Sequence, residues 1–349
     1  MNLGLVCQAE PGLRACLQFG LELQALGVSV TLFTGESSGR ALTGALPVIP
    51  LPPLVAASSE LFMNLNAAGV FLEGAETASF RQVHGNAARL LGRPPIPLFT
   101  GPIRPLCGDA LTSDLLPRLG YDLICLQGEA QQMELSWLLN GGRHQHQPRE
   151  LLGLWCLPTE PIGASNTAER VVLVLDQATI PPSPFANAVL YQRLRTIALE
   201  NPHWHVRLQP DSQPSESTAE DPSSWPETSL VWHHHLDSRP PSNLQVGQAD
   251  DLPQALIQAT ACLGIASDWL LTAMVWGKPT AVLGDYGIRT DFNGPLFFGS
   301  GAMHRLADCL PLDRLLELPR PNSQWLADRG WAIADGAQRL MRRLEELAR

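Results

Sequence analysis

What most constrains this chain is a recurrence: a short uninterrupted apolar run, a polar turn, then apolar residues at helical spacing. Leu3 to Cys7 is followed by Gln8-Ala9-Glu10-Pro11-Gly12, by leucines at helical spacing from Leu13 to Leu26, and by a second apolar run from Val28 to Phe33. A strand, helix and strand in so short a span predict parallel neighbours, since a parallel pair needs a crossover. The rhythm continues with a strand end at Val70 to Leu72, a helix from Thr77 to Leu91, strands at Ile96 to Phe99 and Leu123 to Leu126, and a helix from Glu129 to Leu139. It lapses between Arg149 and Arg170, where Pro158, Pro161 and Gly163 predict a linker. A new series then starts at Val171 to Leu175 and ends in Asp176-Gln177. A helix is expected at Ala188 to Glu200, a strand at His205 to Leu208 and a solvated loop from Pro210 to Thr228. Further strands are expected at Leu230 to Trp232, Cys262 to Ile265 and Thr280 to Leu283, with helices at Leu252 to Ala259 and Trp269 to Trp276. One long amphipathic helix is expected over Gln324 to Ala348. The predicted class is α/β, with parallel-sheet domains at residues 1–155 and 165–325 and a C-terminal helix at 326–349.

At 349 residues the chain is long enough for two cores. Its formal charge of -10 offers no net field to a polyanion, so no nucleic-acid partner is expected. Lys278 is the sole lysine, which leaves any phosphate to arginines, backbone amides and hydroxyls. The cysteines (Cys7, Cys16, Cys107, Cys125, Cys156, Cys262, Cys309) lack a C-x-x-C pair and are read as reduced thiols. The start lacks a basic, apolar export signal. The most apolar long window, Leu256 to Trp276, contains Gln258, Ser267 and Asp268, so no membrane span and a cytoplasmic location are expected.

The richest stretch for chemistry is Gly264-Ile265-Ala266-Ser267-Asp268-Trp269, then Trp276-Gly277-Lys278-Pro279 and Leu283-Gly284-Asp285-Tyr286-Gly287. A strand ends in small residues, and Ser267 is placed to cap a helix whose free amides suit an anion. The helix closes at Gly277, and the next strand displays Asp285 on the same edge. Ser267 and Gly277 are equally accounted for as plain caps. His233, His235 and Asp237 would share one face of an extended segment, but nothing else supports a metal, so none is expected. There is no G-x-S-x-G elbow, no G-x-G-x-x-G after the first strand and no Walker loop.

From Val171 to Gly301 this succession, including Ile180-Pro181-Pro182, Asn201-Pro202 and Phe297-Phe298-Gly299-Ser300-Gly301, resembles an uncharacterised bacterial family of glycosyltransferase-like proteins. That family is similar to GT-B enzymes of capsule and sialic-acid polymer synthesis, and a weaker likeness extends into the N-terminal half. The resemblance implies two Rossmann-like domains facing across a cleft, with the C-terminal helix crossing back. It implies a nucleotide-sugar donor in the second domain, held near Gln177, Gln209, His235, Ser267, Asp268, Asp285, Tyr286, Gly287 and Ser300, and a glycan or cell-surface polysaccharide acceptor in the first. The nucleotide-sugar is a co-substrate, and no cofactor is implied. The acceptor's general base would come from Glu10, Glu73 or Glu129, each also readable as a solvated carboxylate. Two departures stand out: Gln209 where the family has a cation, and Asp268 where relatives pair hydroxyl residues. They leave open a non-catalytic binding or scaffold protein, and a nucleotide-sugar epimerase remains a further alternative.

Overall fold

A computed structural model describes the chain except residues 9–11, 36–45, 158–168, 178, 211–224, 249–251, 288, 291–292 and 348–349. It divides into two compact units: Met1–Pro158 with Leu326–Arg349, and Thr159–Trp325.

In the first unit the elements run β1 (Asn2–Cys7), α1 (Gly12–Ala25), β2 (Ser29–Thr34), β3 (Val48–Pro50), α2 (Pro53–Ala56), α3 (Glu60–Met63), β4 (Ala67–Phe71), α4 (Gly74–Leu90), β5 (Leu98–Thr100), α5 (Gly108–Leu115), β6 (Leu123–Leu126), α6 (Glu129–Leu139) and β7 (Arg149–Leu151). All seven strands are parallel, in the order β3-β2-β1-β4-β5-β6-β7. The chain therefore leaves β1 in one direction and returns to its other side at β4, which makes the carboxyl ends of β1 and β4 the switch point. β4 and β6 are wholly buried, as continuous apolar runs in a sheet covered on both faces should be.

The second unit contains β8 (Arg170–Asp176), α7 (Pro184–Glu200), β9 (Trp204–Pro210), α8 (Leu230–Leu236), β10 (Leu244–Val246), α9 (Leu252–Gln258), β11 (Ala261–Gly264), α10 (Asp268–Val275), β12 (Thr280–Leu283), β13 (Met303–His304) and the first residues of α11 (Ser323–Asp328). Its sheet is also parallel, in the order β10-β9-β8-β11-β12-β13, with the switch point between β8 and β11.

The chain rejoins the first unit at Leu326, within α11, and continues there to α12 (Gly336–Leu347). Ala337, Leu340 and Leu344 enter the core that holds α1, while Arg342, Glu345 and Glu346 face outward. The expected single helix from Gln324 to Ala348 is instead two, α11 and α12. They are separated at Gly330, whose φ of +100° no side-chain-bearing residue adopts comfortably. A Cβ on Gly330 would sit 2.3 Å from the Gln127 carbonyl, so the returning segment lies backbone to backbone on the end of β6. The expected strand at Leu230 to Trp232 is the helix α8, because Ser229 caps it by accepting from the Val231 and Trp232 amides. A three-residue apolar run does not distinguish the two. The loop expected over Pro210 to Thr228 falls mostly outside the described residues. All seven cysteines are buried and none is disulfide-bonded.

Candidate functional site

The second unit's switch point is built from the ends of β8 and β11. Strand β11 stops at Gly264, and Ser267, fully buried, takes an extended conformation (φ −65°, ψ 138°) and caps α10: its Oγ accepts from the Trp269 amide at 3.2 Å. Asp268 is the first residue of α10, where a carboxylate is favoured by the helix dipole. From the end of β8, Gln177 Oε1 accepts from the Ala266 amide at 3.0 Å, so Gln177 and Ser267 belong to one constellation.

Asp176, the last residue of β8, precedes Gln177. Its Oδ2 accepts from Ser229 Oγ at 2.7 Å and from the Val231 amide at 3.0 Å, while Oδ1 is buried with no hydrogen-bond partner. Burial pushes this carboxyl above its ordinary range, against the opposing effect of its donors. The signal was present in the sequence as an acid closing an otherwise apolar strand.

The remaining candidates serve different neighbours. Gln209 is fully buried and accepts from Arg207 Nε at 3.0 Å while donating to the Gln248 carbonyl, so it organises the ends of β9 and β10. A Cβ on Gly247 would come within 2.1 Å of Gln209 Oε1, which explains the glycine there. Asp285 follows β12 and accepts from the Leu306 amide at 2.7 Å, with Arg193 of α7 at 3.9 Å. It therefore lines a cavity of about 810 Å³ beside α7. Tyr286 packs on the core, which raises its hydroxyl pKa, and Gly287 takes a φ of +78°. Ser300 is fully buried and accepts from the Ala302 amide at 3.1 Å within its own turn.

His235 lies in the last turn of α8, which leads into β10, and His234 Nε2 is 3.3 Å from the Leu244 carbonyl where that strand begins. His235 itself stands 6.4 Å, ring centre to ring centre, from Trp225. Helical geometry also keeps His233, His235 and Asp237 off a common face, and among the described residues no group of three metal-ligating side chains occurs. Lys278 Nζ donates to the Ile257 and Ala259 carbonyls at 3.0 and 2.6 Å, finishing α9.

In the first unit, Glu10 lies outside the described residues. Glu73 is exposed at the N-cap of α4, immediately past β4 and thus at that sheet's switch point. Glu129, at the start of α6, is exposed and accepts from Gln132 Nε2 at 3.0 Å. A residue that no pattern signalled supports the Glu73 loop: Arg118 is fully buried and donates to both oxygens of Asp114 (2.9 and 2.7 Å), to Thr100 Oγ1 (2.7 Å) and to the Leu72 carbonyl (3.1 Å).

With this geometry in place, known proteins offer three comparisons. A family profile described as "Putative glycosyltransferase (DUF6716)" matches residues 41–347. No curated protein matches by sequence. Among solved structures, similar folds include the UDP-GlcNAc 2-epimerase from Neisseria meningitidis bound to UDP-GlcNAc, at 13% identity and a TM-score of 0.62, covering 99% of this chain and 100% of that one. The glycotransferase of kitacinnamycin is similar at 16% identity and a TM-score of 0.53, covering 98% and 99%. MurG of Acinetobacter baumannii is similar at 13% identity and a TM-score of 0.50, covering 99% of each chain. At these identities the likeness establishes the fold: two parallel-sheet α/β units of the GT-B type. No helix among the described residues is long and apolar enough to cross a membrane.

Proposed function

The chain belongs to the DUF6716 family, whose description is that of a glycosyltransferase, and on that premise we propose that it transfers a sugar from a nucleotide-sugar to a glycan acceptor. The observation that carries this reading is the β8/β11 switch point, where the buried Ser267 cap and Gln177 hold the N-terminus of α10 at the carboxyl edge of a parallel sheet. Ligands of open α/β sheets bind at this position, and helix amides favour the negative charge of a leaving diphosphate. In this reading the transfer is metal-independent, the developing charge being met by oriented amides and arginines. Ser267, Gln177 and Asp268 would frame the donor phosphates, while Gln209, Asp285 and Ser300 would hold the surrounding loops. Glu73, an exposed carboxylate at the other sheet's switch point, is the candidate base that takes the acceptor hydroxyl proton.

The test is release of free nucleotide from CMP-, UDP- and GDP-sugars with and without glycan acceptors. Acceptor-dependent release from one donor class is expected. A new nucleotide-sugar formed without acceptor would instead identify an epimerase. Binding without turnover would favour the non-catalytic reading, which rests on Gln209 and Asp268 standing where the family resemblance implies a cation and a hydroxyl residue.

A further inference from the structure

Past β4 the chain is tied down by side chains where the sheet no longer reaches it. The ladder with β1 ends at Phe71, yet both lone pairs of the next carbonyl are taken: Thr77 Oγ1 donates to the Leu72 carbonyl at 2.7 Å and Arg118 Nη2 donates to it at 3.1 Å. Both side chains are fully buried, so water does not compete for the carbonyl. Arg118 Nη1 also donates at 2.7 Å to Thr100 Oγ1, which in turn donates to the Val70 carbonyl at 2.6 Å. Tyr121 Oη donates to the Thr77 carbonyl at 2.5 Å and fixes the first turn of α4. A peptide group is planar, so holding the Leu72 oxygen also sets the nitrogen and Cα of Glu73. The Glu73 side chain is treated in the opposite way. It stands at the N-cap of α4 (φ −99°, ψ 149°), but its exposed carboxylate makes no cap bond, whereas the Glu129 carboxylate is engaged by Gln132 Nε2.

From this arrangement we infer that Thr77 and Arg118 are positioning residues for the transfer, acting through the Leu72 carbonyl to aim the Glu73 carboxylate at the acceptor hydroxyl. This role rests on Glu73 being the base of the reaction, which takes the hydroxyl proton onto a carboxylate oxygen. Such a base works within about 3 Å of the group whose proton it removes, and a displacement of about 1 Å can cost about a hundredfold in rate. Where the hydrogen bonds fall matters as much as their number. Bonds donated to the carboxylate itself would stabilise its charged form and weaken it as a base. Bonds donated to the neighbouring carbonyl fix its direction and leave both oxygens for the acceptor.

A double-mutant cycle on the full chain tests this, with acceptor-dependent nucleotide release as the readout. Thr77→Val keeps the buried shape and deletes the hydroxyl; it is expected to lower kcat at least about fivefold with KM for the nucleotide-sugar unchanged, and Thr77→Ser is expected to restore the wild-type rate. Thr77→Ala, which cannot crowd the site, is expected to behave as Thr77→Val does. Glu73→Gln is expected to lose about a hundredfold or more, and adding Thr77→Val to it is expected to cost nothing further, because Thr77 acts only through Glu73. A Thr77→Val protein with the wild-type kcat, or a Thr77→Val loss of the same factor with and without Glu73, overturns the positioning role while Glu73 remains the base. Undiminished transfer by Glu73→Gln, or no transfer by wild type, removes the base and the positioning role together.

Discussion

At the first unit's switch-point edge, the ends of β4 and β5 converge on a buried ion pair, with Arg118 joining Leu72, Thr100 and Asp114. At the second unit's, the ends of β8 and β11 are joined by a neutral carboxamide, Gln177 to Ala266, next in sequence to a buried acid, Asp176, whose Oδ1 has no partner. The same strand arithmetic thus ends in two kinds of chemistry. An ion pair whose guanidinium is fully buried fixes an edge, because every alternative leaves that charge unpaired. A neutral hydrogen bond contributes about 1 kcal/mol and exchanges readily for a ligand's. The contrast points to the first edge as scaffold and to the second as the edge that changes partners.

The sharpest way to break this comparison is to remove the ion pair. Arg118→Ala strands Asp114 and the Leu72 carbonyl and is expected to cost about 3–5 kcal/mol in denaturant unfolding; a loss below about 1 kcal/mol would mean that the first edge is no more fixed than the second. Next in size, Asp176→Ala removes the acceptor of Ser229 and Val231 and is expected to cost about 2–3 kcal/mol. Asp176→Asn, which keeps one acceptor oxygen, should recover most of that in the same experiment. Ser267→Ala uncaps α10 for about 1 kcal/mol, small enough to leave the fold available for binding measurements.

The smallest effect concerns pH. His84 of the first unit is buried, its Nδ1 3.2 Å from the Ala57 carbonyl and its Nε2 accepting from the Ile96 amide at 3.1 Å, and burial lowers its pKa below the ordinary 6.5. The folded state keeps it neutral where the unfolded chain takes up a proton. The stability it supports is therefore full above about pH 6.5 and falls as the pH drops toward the lowered folded value. Unfolding curves across that range should flatten in His84→Gln, and an unchanged slope would remove His84 from the account.

Much of this was legible in the sequence, and where it was not the cause is physical. Leu123–Leu126 and Glu129–Leu139 were bounded as the structure has them, because Asp122, Gln127-Gly128 and Asn140-Gly141-Gly142 punctuate their ends. The two-residue β13 and three-residue β3, β7 and β10 escaped because so few residues carry no period. At the site, Ser267 and the closure at Gly277 were readable as caps, since capping is local chemistry. Gln209, Asp285 and His235 shared a sequence neighbourhood with strand ends, but only the fold shows which neighbours they serve. No local pattern marks Arg118; its role depends on Thr100, Asp114 and Leu72, which only tertiary packing gathers.

The central claim is that the second unit's switch point receives the donor nucleotide. Thermal unfolding of wild type, Ser267→Ala and Gln177→Ala against CMP, UDP, GDP and their sugar conjugates tests it most directly. The account predicts that one nucleotide class raises the wild-type transition and that Ser267→Ala abolishes the rise. No rise with any nucleotide, or an equal rise in both variants, would contradict it.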